Sequence, residues 1–218
     1  MVRSKWLVLT ILILCMLPIL SGCRVVAFEG LKENEPKKKE STAKEVMVDF
    51  NPNLVLLGPK MVVRGETSLP EGTVVTVQIK PFSDSVGYLS IVNEGAEPLD
   101  EIKDGKDVKV EKTREFGPVA FPRAASEQDK RFRIEALIDP RKQPEEVRNL
   151  LGSNGEHIKD SRGMKTVEDE DAEVVMIRKY ADVMTYEEDG FKTIDPRPFV
   201  TGEEGEEFTS TGRPNFKK

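Results

Sequence analysis

The chain has 218 residues, with 33 Lys and Arg against 39 Asp and Glu, a formal net charge of −6 and two cysteines. An acidic chain with no concentrated basic stripe lacks the electrostatic footprint of a nucleic-acid binder, so that class is set aside. Phosphate-loop and dinucleotide fingerprints are missing too.

The chain opens with Met1-Val2-Arg3-Ser4-Lys5, a short basic stretch. An apolar run follows from Trp6 to Leu20, interrupted only by Thr10 and Pro18, and then Leu20-Ser21-Gly22-Cys23. A basic start, an apolar stretch and small residues before a cut make the plan of a secretory signal peptide. The run is shorter than the roughly 20 apolar residues of a transmembrane helix. Leu20 to Cys23 resembles the lipobox of bacterial lipoproteins. That resemblance implies a diacylglyceryl group on Cys23, cleavage before it, and an extracytoplasmic protein held to a bacterial membrane by lipid. Residues 1–22 are then the signal peptide. Cys15 and Trp6 leave with it, and lipid occupies Cys23, so no thiol remains for a disulfide, a zinc cluster or nucleophilic catalysis. No cofactor and no metal are expected.

Residues 23–44 read as a flexible tether. Lys32-Glu33-Asn34-Glu35-Pro36-Lys37-Lys38-Lys39-Glu40 cannot bury enough apolar surface to offset the entropy of ordering it. As a coil, such a segment spans roughly 25 Å.

Residues 45–185 have the size of one domain. Val75, Val77 and Ile79 alternate with Thr76, Gln78 and Lys80, as a half-buried strand requires. Phe132, Ile134, Ala136 and Ile138 repeat the pattern within Arg131–Ile138. Asp107–Glu111, Lys60–Arg64 and Tyr88–Val92 are further strand candidates. Leu69-Pro70-Glu71-Gly72 suits a tight turn, and Asp104-Gly105 reads as a hairpin signal. Gln143–Gly152 predicts the one helix, with Pro144 in its first turn, acids at its positive dipole end, Gly152 beyond its last turn, and a stripe of Val147, Leu150 and Leu151. Glu173–Thr185 fits either period, and its Val and Ile content favours a strand. Short alternating strands punctuated by turns predict an all-β sandwich. The stretch Val62–Val77, a strand, a Leu-Pro-x-Gly turn and a second strand, resembles the opening of immunoglobulin-like modules in bacterial surface proteins. It implies an immunoglobulin-like β-sandwich and no particular substrate.

Residues 186–218 are rich in Gly, Pro and acids, with Phe191, Phe199, Phe208 and Phe216 scattered among them. They read as a disordered acidic tail.

Candidate chemistry is sparse. His157, the single histidine, lies in a turn-rich loop without a Gly-x-Ser-x-Gly elbow, so it reads as polar surface rather than a general base. Backbone N–H groups of the same loop offer a weak anion cradle. Glu168-Asp169-Glu170-Asp171 lacks EF-hand spacing and reads as solvated charge rather than a Ca²⁺ site. The expectation is a non-enzymatic binding or envelope-interaction module, partnered by the membrane through Cys23 and by an envelope protein or glycan. It would act through an exposed sheet face or through the loop from Gly152 to Gly163. A hydrolase using facing carboxylates roughly 5–10 Å apart is the alternative. Inhibition of an extracellular protease by a protruding loop is a third.

Overall fold

The computed structural model describes residues 44–169, 172–189 and 196–202, with the backbone of 206–208 and 214–216. The signal segment, Cys23 and the tether up to residue 43 lie outside the described residues, as do Glu170, Asp171 and Phe191. The described residues belong to one compact unit, Ala43–Lys218.

That unit is mostly β. Its elements run β1 (Phe50–Leu57), β2 (Lys60–Thr67), β3 (Val74–Pro81), α1 (Tyr88–Glu94), β4 (Asp104–Lys109), β5 (Glu115–Pro122), β6 (Phe132–Ile138), α2 (Glu145–Leu151), β7 (Met164–Asp169), β8 (Ala172–Val183) and β9 (Arg197–Pro198). A short antiparallel pair follows, β10 (Glu206–Phe208) and β11 (Pro214–Phe216). One sheet has the order β5-β2-β1-β9 and the other β4-β3-β6-β8-β7, with antiparallel pairing throughout.

Alternation on both sheets builds the core. Phe50, Leu54, Val63, Phe116 and Phe121 come from the first sheet, and Val77, Ile134, Ala136, Ile177 and Val183 from the second, all buried in one cluster. Phe50 and Phe116 stack with ring centroids 5.6 Å apart. The turn after β2 carries the chain from one sheet to the other, and Gly72 there takes φ +86° as expected. The strand preference for residues 173–185 holds, since β8 pairs with both β6 and β7.

Several expectations change. Tyr88–Val92 is helical, so the described residues hold two short α-helices rather than one. Gly95 ends α1 in the left-handed region at φ 66°, its N–H bonded to the Ser90 carbonyl. Only Ile91 of the segment is buried, against Phe82 and Met184, while Leu89 is 64 % exposed. A half-buried strand would have set both on one face. Asp104-Gly105 is not a hairpin but the start of β4, opposite Ile79 and Gln78. The chain already runs along β3 before it, with the Leu99 N–H on the Pro81 carbonyl and that of Lys103 on Ile79. In α2, Val147 and Leu151 are buried four residues apart, and Leu150 faces outward.

The expected tail also contributes to the fold. Phe199, Val200 and Thr201 are buried. Pro198 and Arg197 pair with Asn53 and Leu54 on β1, and Val200 exchanges two hydrogen bonds, 2.9 and 2.8 Å, with Tyr180 on β8. This strap joins the sheets along one side. Two buried apolar residues and a buried threonine anchor it inside a stretch whose average composition is that of a solvated tail.

Candidate interaction face

The two sheets differ on their outer faces. On the five-stranded sheet, Gln78 and Lys80 of β3, Arg133 and Glu135 of β6, and Arg178, Tyr180 and Asp182 of β8 are brought together by register. Arg133 and Glu135 are each only 1 % exposed. Arg133 donates to both Asp182 oxygens, at 2.7 and 3.1 Å, and to Glu97 at 2.8 Å. Its guanidinium lies 3.9 Å from the centre of the Tyr180 ring and 5.5 Å from that of Phe82. Glu135 accepts from Gln78 at 2.7 Å and stands 3.5 Å from Lys80 and 3.4 Å from Arg178. Burial pushes the Asp182 carboxyl up, against the pull of the Arg133 guanidinium, and burial likewise raises the Tyr180 hydroxyl. Most of these charges are paired, with only Arg178 Nε buried and left without a hydrogen-bond partner among them, so the face is closed largely by its own ion pairs.

The outer face of the four-stranded sheet is open. Register sets Leu57 beside Lys60 and Pro122, Val55 beside Val62 and Ala120, and Asn51 beside Glu66 and Glu115. Leu57 is 46 % exposed, Ala120 and Pro122 are exposed, and Val55 and Val62 are half-buried. Strand register makes this a continuous apolar strip rather than scattered residues. Beyond it the β2–β5 ladder slips, with Gly117 and Pro118 both standing opposite Arg64. Gly117 takes φ +88°, and a Cβ there would come within 2.7 Å of the Val63 carbonyl. The bulge opens a groove of about 380 Å³ walled by Asn53, Arg64, Glu66, Glu115 and Pro118. Glu66 and Glu115, cross-strand neighbours in this groove, are the carboxylate pair it offers to the hydrolase expectation. Both stand exposed on an open face, without the apolar enclosure that lets a carboxyl serve as general acid near neutral pH.

The loop from Gly152 to Gly163 does not protrude. Its backbone is tied to Val46 and to Val175, and Gly155, Ile158 and Ser161 are buried. A Cβ on Gly155 would sit 2.0 Å from the Val175 carbonyl. The anion cradle there is filled from within. Glu156 accepts from the Asn154 N–H at 2.8 Å, and although burial opposes it, the loop's backbone donors hold its carboxyl below the usual range. His157 bonds the Leu150 carbonyl at 3.1 Å through Nδ1. Of the acidic run, Asp169 pairs with Arg141, which also clasps Asp139 at 2.8 Å. Among the described residues no group of three or more His, Cys, Asp or Glu is placed to hold a metal ion.

An exposed sheet face is expected from the sequence, but not which of the two. The open face was missed because β1 and β5 were not recognised as strands. Alternation in Val119-Ala120-Phe121-Pro122 was the available signal. No family model, curated protein or solved structure matches the chain.

Proposed function

We propose that this protein is a non-enzymatic binding module, lipidated on Cys23 and displayed outside the cytoplasmic membrane. Its immunoglobulin-like β-sandwich engages an envelope protein or glycan through the outer face of the four-stranded sheet. One observation carries this reading: the Val55–Val62–Ala120 strip and the adjoining groove are open, whereas the opposite face is closed by ion pairs. Continuous exposed apolar surface rimmed by polar groups marks interaction sites. Capture of a partner from envelope extract tests it. Val62 is half-buried and points outward, so Val62→Lys leaves the fold intact and lowers capture at least tenfold. Equal capture by the variant would sink the assignment of this face.

The carboxylate-hydrolase alternative rests on Glu66 and Glu115, cross-strand neighbours in the groove. Their exposure favours surface complementarity over acid–base chemistry.

A further inference from the structure

Sheet edges present rows of unpaired backbone N–H and C=O groups, which other chains complete unless the edge is covered. Among the described residues, three of the four edges of the two larger sheets are covered at least in part. β9 lies on β1. β4 and β5 adjoin at one side of the molecule, where Lys106 Nζ donates to the Ala120 carbonyl at 2.5 Å and lies 4.6 Å from the centre of the Phe121 ring. β7 closes the order of the five-stranded sheet and, among the described residues, pairs only with β8. Thr166, Val167, Glu168 and Asp169 along it are exposed.

We infer that β7 is the edge through which two copies of this chain pair antiparallel, joining their five-stranded sheets. Symmetry restricts the register, and charge selects within it. A two-fold axis normal to the sheet keeps each face on its own side, so opposed residues must share parity. Centring the axis on Val167 sets Val167 against itself and, twice over, Lys165 against Asp169 of the other copy, whose carboxylate is then shared between Lys165 and the Arg141 of its own chain. Thr166 then meets Glu168. Every ion pair made is between opposite charges, and the apolar residue sits on the axis. Moving the axis to Lys165 would oppose two like charges directly. The contact is small, below the area of a standard stable interface, so pairing is weak and depends on concentration.

Disulfide trapping in the full, detergent-solubilised chain tests this. Directly opposed residues in an antiparallel pair have Cα atoms about 4.5–5.5 Å apart, within disulfide reach. Under mild oxidation Val167→Cys cross-links at least tenfold faster than Lys165→Cys, which lies away from the axis, and than Leu57→Cys on the other sheet. Adding Lys165→Asp to Val167→Cys slows trapping, and adding Asp169→Lys as well restores it. Equal rates at the three positions, or a double reversal that fails to restore trapping, overturn the inference. Substitution at exposed Val167 removes no buried contact, so a folded variant is available for the measurement.

Discussion

Arg133, buried as deeply as Glu135, has two carboxylates, the Ala96 carbonyl and two rings around it. A buried ion pair contributes little net stability against an apolar pair of the same size, yet removing one partner leaves an uncompensated charge. Asp182→Asn therefore destabilises the domain by about 3–5 kcal/mol. Replacing both members, Arg133→Met with Asp182→Leu, costs less than the single change. Urea titrations of the three proteins check the order, and a double variant weaker than Asp182→Asn would contradict it. Asp139 behaves differently. Burial opposes its ionisation, but the side-chain and backbone hydrogen bonds from Arg141 hold its carboxyl below the usual range. A depressed folded pKa stabilises above the unfolded value, about 3.9, and that contribution is lost as pH falls through the folded value. Asp139→Asn keeps an oxygen for the Arg141 N–H and loses the charge. The stability gap between wild type and variant is thus widest at neutral pH and closes below about pH 4. A gap that widens in acid would refute the assignment.

At the scale of elements, the strap at 196–202 has the largest effect for its length. Phe199 enters the core between the sheets, and the backbone on either side bonds β1 and β8. Phe199→Ala loses about 3–5 kcal/mol. Because the strap completes both sheets, hydrogen exchange quickens in β1 and β8 together; quickening confined to residues 196–202 would show that it merely lies on the surface. This element was illegible in the sequence because composition averages over a window, and three buried residues do not shift the average of an acidic stretch. β3 and β6 were legible from the alternation of Val75 to Lys80 and of Phe132 to Ala136, whereas β8, with Val174-Val175-Met176-Ile177 in a row, was favoured as a strand only by its Val and Ile content. β5 was hidden by the Gly117-Pro118 bulge, which resets its alternation midway. β7 was hidden because its exposed residues read as loop. The ion-pair lattice was only half visible: Arg133, Glu135 and Asp182 occupy the polar half of each pattern, but which of them meet depends on register between strands far apart in the chain.

For the whole molecule, the open face matters through where the domain is held. The proposed tether, some twenty residues long, would keep the face within tens of ångströms of its attachment point, so the proposed anchor decides which partners are in reach. One acyl chain binds a membrane only marginally, whereas the two chains of a diacylglyceryl group hold it stably at about 0.8 kcal/mol per buried CH₂. Cys23→Ser in the full chain removes the attachment atom and leaves the described unit, which begins at Ala43, unchanged. Expressed in a bacterium, the wild-type protein partitions with membranes and into detergent, and its mass carries the lipid. The variant loses the added mass and the detergent partitioning, while its melting temperature matches that of the wild type. Wild-type protein without the added mass, or a variant that still partitions into detergent, would remove Cys23 as the anchor and leave the open face without a fixed neighbourhood.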